Sequence, residues 1–238
     1  MITSKDNEKL KLVRRLAERK HRDREGLFAV EGEDLLAAAL AAGHEPVLVL
    51  SAAGSGIDGT EVAPELLDSV SALGSGTRVI SVWRRSWSRP AGPVCVYLHG
   101  VADPGNVGAV IRTAHALVDG TVALGPGCAD PHSPKATRAS MGSAFGQPIA
   151  RAGVEETPRP RIALVAHGGE VPGEVRPPVT ICLGAERAGL PGEVVEACER
   201  RWTIPLRDHG AESLNVAAAA AIALGRISSA AAEQDGAS

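Results

Sequence analysis

The stretch TIPLRDHGAESLNVAAAAAIALGRI, Thr203 to Ile227, decides how the rest of the chain is read. Thr203-Ile204-Pro205-Leu206 carries a short apolar strand signal. A polar loop around Gly210 follows, and Ser213 or Asn215 can accept the free N–H groups of a first helical turn. Beyond it, Ala217–Ala221 is an unbroken run of small side chains, apolar all round. Such a helix is not a surface element and calls for close backbone neighbours on several sides. Its N-terminus offers N–H donors and a partial positive charge to a bound ligand. Taken alone, the stretch is accounted for by a packed C-terminal helix.

Two further stretches change that reading: Val101-Ala102-Asp103-Pro104-Gly105-Asn106-Val107-Gly108-Ala109-Val110-Ile111-Arg112-Thr113-Ala114 and Leu183-Gly184-Ala185-Glu186-Arg187-Ala188-Gly189-Leu190. All three follow apolar strand signals, after Leu98, Leu183 and Leu206. Strands broken by helices at this rhythm imply a parallel α/β sheet, and ligands of such sheets bind at the carboxyl ends of strands. Three loops on one edge of one sheet therefore form a site hypothesis with a geometric basis. Asp103-Pro104-Gly105-Asn106 is a turn into a helix, with Asn106 placed to cap it. Arg112, six residues on in an otherwise apolar helix, calls for an anionic partner, which is either internal, such as Glu186, or a phosphate or other substrate group. The 184–189 loop has the wrong spacing for a dinucleotide fingerprint, and Pro191 stands where the helix of that motif would be running. The sequence contains no P-loop, H-E-x-x-H, G-x-S-x-G or metal-ligand cluster. His99 and His209 lie beside the motif loops without an acid partner in sequence.

The N-terminal part, residues 1–83, alternates in the same way. The pattern predicts a helix from Ser4 to Arg24, strands at Leu27–Val30, Pro46–Leu50 and Arg78–Val82, and helices at Glu33–Ala42 and Pro64–Leu73. That order implies a small three-layer unit with a largely parallel sheet. Residues 84–93, RRSWSRPAGP, read as a linker. The Trp and Arg planes here either stack on bases or pack at the junction. Residues 94–230 form the second domain, with predicted strands at Val94–Leu98, Thr121–Leu124, Arg161–Ala166, Val179–Leu183 and Thr203–Leu206. Its predicted helices are Asn106–Val118, Pro134–Phe145, Gly192–Arg200 and the terminal one, with a disordered tail after about Ser228.

The totals limit the classes available. A chain of 238 residues with 44% hydrophobic content has ample core for one large or two modest domains. The net charge is −3, yet residues 1–26 hold nine Lys/Arg against five acids, leaving +4 there and −7 elsewhere. A basic N-terminus on an acidic body either meets phosphates or forms a solvated amphipathic helix. Aromatic content of 3% weighs against base-stacking RNA modules. The four cysteines form no C-x-x-C pair and read as reduced packing residues of a cytosolic protein. The start MITSKDNEKLK has no apolar h-region, so no signal peptide is expected, and no apolar run approaches the roughly 18 residues needed to span a bilayer.

Taken in order, DPGNVGAVIRTA, LGAERAGL and IPLRDHGAESLNVAAAAA closely resemble the three signature motifs of the TrmH (SpoU) family of SPOUT-class RNA ribose 2′-O-methyltransferases. Arg138–Phe145, RASMGSAF, resembles a fourth family segment, so the resemblance covers Val94 to Ile227. The N-terminal unit, with FAVEG before a helix, resembles the L30e-like substrate-binding domain of many members. The resemblance implies an α/β methyltransferase domain with a deep trefoil knot, a feature otherwise nearly absent from proteins. It implies S-adenosylmethionine held by Gly184, Ile204 and Leu214 through backbone groups, with Leu183, Ala185 and Leu206 beside them. It also implies a homodimer with residues of both subunits at each site, RNA as substrate and no metal. Asn106, Arg112, Glu186, Ser213 and Asn215 would form the catalytic set. Arg112 would either activate the hydroxyl or, being a poor base with a pKa above about 12, hold a phosphate and the developing alkoxide charge. Arg14, Arg15, Arg22, Arg24 and Arg138 are the candidate RNA contacts. Departures from the pattern, Ala102 and the helix end Leu117-Val118-Asp119-Gly120, touch no chemical role. The two-domain layout favours 23S rRNA over tRNA. A non-catalytic RNA-binding or ribosome-assembly protein on the same fold is the alternative of another class, and a base-nitrogen methylase is disfavoured by N-x-G-x-x-x-R together with S-L-N.

Overall fold

The structure, a computed structural model, describes residues 1–72, 74, 76–210 and 212–235. In chain order the elements are α1 (Glu8–Leu16), α2 (Arg19–Glu25), β1 (Leu27–Glu31), α3 (Glu33–Ala41), β2 (Leu48–Ala52), β3 (Thr60–Val62), α4 (Pro64–Asp68) and β4 (Val79–Arg84). They continue with β5 (Val94–Leu98), α5 (Pro104–Leu117), β6 (Val122–Leu124), α6 (Pro134–Ser140), α7 (Ser143–Gly146), β7 (Ile149–Arg151) and β8 (Arg161–Leu164). The last are β9 (Val179–Leu183), α8 (Gly192–Glu196), β10 (Arg200–Trp202) and α9 (Val216–Asp235). Two compact units result, Met1–Ser86 with Asp130–Gly146, and Trp87–Ala129 with the residues from Gln147 onward.

The first unit has a four-stranded sheet in the order β1-β4-β2-β3. Only the β2–β3 pairing is parallel. β4 lies between β1 and β2 and runs antiparallel to both, which corrects the expected parallel sheet. Apolar patterning marks strands but not their direction, which non-local pairing decides. The N-terminal helix is also two helices rather than one. Glu18 is extended, and the Arg22 guanidinium turns inward to donate to the Leu16 and Ala17 carbonyls, both at 2.8 Å, satisfying the end of α1. Leu10, Val13 and Leu16 of α1 pack with Leu50, Val62, Ile80 and Val82. The helix expected to run to Leu73 ends at Asp68, and Leu73 itself lies outside the described residues.

Asp130–Gly146 joins this unit through charge and rings. The buried Asp130 carboxylate accepts from Arg22 Nε at 2.8 Å, from Arg85 Nη2 at 2.9 Å and from the His132 N–H at 3.0 Å. Burial alone would raise its pKa. Hydrogen bonds from His132 and Arg22 and the Arg85 charge outweigh that and hold the carboxyl well below the usual carboxylate range. Phe145 packs against Phe28, Trp83 and His44. The helix expected over Pro134–Phe145 breaks at Met141 and Gly142, both left-handed, and a Cβ on Gly142 would meet the Ala38 Cβ at 2.5 Å. Glycine at 142 therefore leaves room for the Ala38 methyl of α3 at the break.

The second unit is an all-parallel sheet of six strands in the order β10-β8-β9-β5-β6-β7. Its central strands β5 and β9 are buried along their whole length, as both faces are covered. One face carries α5 and α9 packed on each other, and Val107, Val110, Ile111 and Ala114 of α5 and Ala220, Ala223 and Leu224 of α9 are buried. The other face gathers Cys95, Tyr97, Ala123, Ala150, Cys182 and Val194. β7 was not anticipated, being three residues long. Thr203–Leu206 is not a strand. The strand is Arg200–Trp202, and the following segment, with Pro205 unable to donate, leaves the ladder. α9 continues to Asp235 where a disordered tail was expected. Within one chain it is covered on one face. Ala218 and Ala221 are exposed, and Ile222 is 40% exposed.

Candidate active site

The carboxyl ends of β8 and β9 and the segment leading into α9 border an open pocket. Its walls come from Leu164–Ala166, from Leu183–Glu186 with Gly189, and from Ile204, Leu206, Glu212–Leu214 and Val216. All six positions expected to hold the cofactor, Leu183, Gly184, Ala185, Ile204, Leu206 and Leu214, line it. The loop after β9 closes on itself, with Ala185 and Gly189 exchanging hydrogen bonds at 3.2 and 2.8 Å. A Cβ on Gly184 would stand 2.1 Å from the Gly189 carbonyl carbon, so residue 184 must be glycine for the loop to fold back this tightly. Aliphatic walls with Glu186, Glu212 and Ser213 among them suit a ligand that combines an apolar ring with cationic groups. S-adenosylmethionine has that chemistry.

Beside the pocket a chain of amides fixes the polar groups. The N-terminus of α9 starts it: the Ala217 N–H donates to Asn215 Oδ1 at 2.9 Å, so Asn215, not Ser213, is the cap. Asn215 Nδ2 donates to Asn106 Oδ1 at 3.0 Å, and Asn106 Nδ2 donates to Glu186 Oε1. Asn106 is free for this because it is not the cap of α5, as its position had suggested. Asp103 is the cap, accepting the Asn106 N–H at 3.1 Å. Residues from three loops 80 and 109 positions apart in sequence thus meet, with each amide's orientation set by the next donor.

Arg112 does not join them. It is exposed on α5, does not line the pocket, and has no hydrogen bond or ion pair among the described residues. Six residues along a helix is about 9 Å of rise and about 120° of rotation away from Asn106. The internal pair with Glu186 is therefore not formed. His99 points elsewhere too. Its Nδ1 meets the Tyr97 hydroxyl at 3.1 Å on the opposite face of the sheet, where burial pushes the phenol pKa up to about 12.

The five candidate RNA contacts divide. Arg14, Arg24 and Arg138 are exposed. Arg14 donates to the Lys5 carbonyl at 3.0 Å and Arg24 pairs with Glu25 at 2.7 Å, bonds that solvent-exposed side chains exchange readily. Arg15 is half-buried. Arg22, 3% exposed and bound to Asp130 and two carbonyls, is a structural cation, and the expectation that it meets phosphate is corrected. Sequence reading missed Leu164–Ala166 and Glu212 in the pocket wall. The first lay at a strand's carboxyl end and could have been found by that rule. Among the described residues no group of His, Cys, Asp and Glu could hold a metal ion, and no helix is long and apolar enough to cross a membrane.

The fold defines a parallel α/β protein with an open pocket at the carboxyl edge of its sheet. Residues 93–225 match the SpoU rRNA methylase family, and the chain belongs to it. Residues 7–86 match the MRM3-like substrate binding domain. The chain is 35% identical over 140 residues to an uncharacterized tRNA/rRNA methyltransferase of Mycobacterium tuberculosis, a match spanning 53% of this chain and about half, 48%, of that relative's length. It is 29% identical to the 23S rRNA (guanosine(2553)-2′-O)-methyltransferase RlmP of Bacillus subtilis, over 93% of this chain and 96% of that one. An AdoMet-bound rRNA methyltransferase of Sinorhizobium meliloti superposes with a TM-score of 0.80 at 29% identity, covering 94% of this chain and 95% of the other.

Proposed function

We propose that the protein transfers the methyl group of S-adenosylmethionine to a ribose 2′-hydroxyl of ribosomal RNA, with 23S rRNA preferred over tRNA. It would do so in the cytoplasm, as a homodimer whose methyltransferase domain carries the trefoil knot of its family. The observation that carries the reading is the meeting of six cofactor-type wall residues with the Asn106–Glu186–Asn215 chain at one sheet edge. The names of the relatives support the substrate class.

S-adenosylmethionine supplies an already activated methyl on a sulfonium, so the protein's work is alignment and removal of a proton from a weakly acidic hydroxyl. Leu183, Ala185, Ile204, Leu206 and Leu214 bind the apolar part of the ligand and exclude water. Gly184 lets the loop close. Asn106, Asn215 and Glu186, locked by one another, hold the acceptor ribose, with Ser213 on the same wall. Arg112 anchors the neighbouring phosphate and offsets developing alkoxide charge, since a guanidinium with a pKa above about 12 is a poor base. Its exposure and the missing local partner support its acting in the pocket of a second copy, and the uncovered Ala218, Ala221 and Ile222 of α9 support such a copy.

Transfer of tritiated methyl from S-adenosylmethionine to bacterial RNA, fractionated and digested to nucleosides, tests this. Label recovered as a 2′-O-methylnucleoside from 23S rRNA is expected. Label on a base would sink the ribose assignment, and label confined to tRNA would overturn the substrate. Cofactor binding with no label in any fraction would favour a non-catalytic RNA-binding protein.

A further inference from the structure

Three thiols meet on the second face of the parallel sheet and take no part in the pocket. Cys95 of β5 and Cys182 of β9 are fully buried, in one cluster with Tyr97 and with Val194 of α8. Cys198, just past the end of α8, is half-buried and packs against that cluster. Its thiol donates to the Val194 carbonyl at 3.2 Å, and its sulfur accepts from the Cys182 thiol. That bond holds the Cys198 thiol below its usual pKa, against the cost of burial. The same bond and then burial push the Cys182 thiol up, and burial pushes Cys95 up to about 12. The Arg161 guanidinium, which donates to the Ala197 carbonyl at 3.4 Å, adds positive charge beside Cys198. Glu199 opposes it, but that carboxylate is engaged by Arg159 at 2.7 Å and by the Arg161 N–H at 2.6 Å. A partly exposed thiol beside a guanidinium is the reactive kind, whereas a buried one reacts only with a partner already in contact. The pair also brackets the pocket loop. Leu183, Gly184 and Ala185 follow Cys182 directly, and α8, which ends before Cys198, follows the same loop.

We propose that Cys198 is an oxidation site which hydrogen peroxide converts to a disulfide with Cys182, and that this crosslink weakens S-adenosylmethionine binding at the adjacent loop. The second half rests on the pocket reading above. The Cys198 thiolate attacks one peroxide oxygen, the O–O bond breaks, and a sulfenic acid and one water result. The Cys182 sulfur then attacks the Cys198 sulfur, the S–O bond breaks, and the departing hydroxide takes the Cys182 proton as a second water. Two thiols lose two electrons and one peroxide becomes two waters. Disulfides of this transient kind are the ones found in reducing compartments. The bond needs the sulfurs about 2.05 Å apart, well inside the contact distance of two thiols. Cys182 is held in place, since β9 pairs with β5 on one side and β8 on the other. The Cys198 end and α8 must therefore move. Their movement reaches Gly189 and Leu190 through Pro191, and that backbone has no slack, lying 2.1 to 2.3 Å from where a Gly184 Cβ would stand.

The test treats the reduced full chain with hydrogen peroxide, alkylates the remaining thiols before unfolding, and maps peptides by mass spectrometry. A Cys182–Cys198 disulfide that dithiothreitol reverses is expected. In Cys182→Ala the sulfenic acid persists, and dimedone labels Cys198. Calorimetric affinity for S-adenosylmethionine should fall about tenfold or more in the oxidised wild type and return on reduction. Cys198→Ser should bind like the reduced wild type before and after peroxide, which also reports an intact fold. A disulfide between other cysteines, or dimedone on Cys95 or Cys128 in place of Cys198, would overturn the oxidation site. A mapped Cys182–Cys198 disulfide with unchanged affinity would overturn the link to the pocket. A reduced wild type with no affinity for S-adenosylmethionine would overturn the pocket reading and that link together, and the peptide map would still decide the oxidation site.

Discussion

Two inactive proteins that restore one another would decide whether a site is shared between subunits. Arg112→Ala removes an exposed guanidinium with no bonding partner among the described residues, so its effect on stability should stay within about 0.5 kcal/mol. Asn106→Ala deletes two side-chain hydrogen bonds at the exposed mouth of the pocket, at about 1 kcal/mol each, and leaves the Asp103 cap of α5 untouched. Both variants should fold and bind S-adenosylmethionine, and both homodimers should be inactive. In a two-fold dimer where Asn106 of one copy works with Arg112 of the other, a heterodimer of the two variants holds one wild-type site and one doubly damaged site. Its activity per dimer should be about half that of wild type, since two-fold symmetry gives two equivalent sites. Co-expression with two affinity tags, sequential purification and a tritiated-methyl assay on 23S rRNA measure it. If Asn106 and Arg112 served the same pocket from one chain, each heterodimer site would lack one residue and activity would remain at background. That result, or an active Arg112→Ala homodimer, would refute the shared site.

Gly184→Ala would force the β9 loop apart, because the new Cβ overlaps the backbone of Gly189 and Leu190 at 2.1 to 2.3 Å. A destabilisation of about 1–3 kcal/mol and loss of calorimetric S-adenosylmethionine binding are expected, and wild-type binding would show that this loop does not shape the pocket. Asp130→Asn leaves the buried Arg22 and Arg85 without their shared carboxylate and should cost about 3–5 kcal/mol in urea unfolding at neutral pH. Because the folded Asp130 pKa is depressed, its contribution is present above the unfolded value of about 3.9 and is lost as pH falls below it. The gap between wild type and variant should therefore narrow in acid, and a gap independent of pH would contradict the charged-carboxylate account.

The strand and helix rhythm of the second unit was legible because its central strands are buried on both faces and read as unbroken apolar runs. β5 and β9 lie where the sequence put them, at Val94–Leu98 and Val179–Leu183. Thr203–Leu206 was misread for the same reason, since an apolar segment lining a pocket has the composition of a strand. The break in the N-terminal helix was not legible. It depends on Arg22 meeting Asp130, which is 108 residues away. The same contact turned a residue that looked like a phosphate ligand into part of the core.

The sequence by itself determined that three loops share one sheet edge, because period and punctuation are local properties and the edge rule converts them into a location. It also determined the residue types at that edge. Tertiary structure alone decided which of them touch. It freed Asn106 by giving the α5 cap to Asp103, joined it to Asn215 and Glu186, and left Arg112 facing outward. Strand direction in the first unit was decided in the same way. Pairing, capping and ion-pair partners are chosen by groups far apart in the chain, and no local pattern carries that choice.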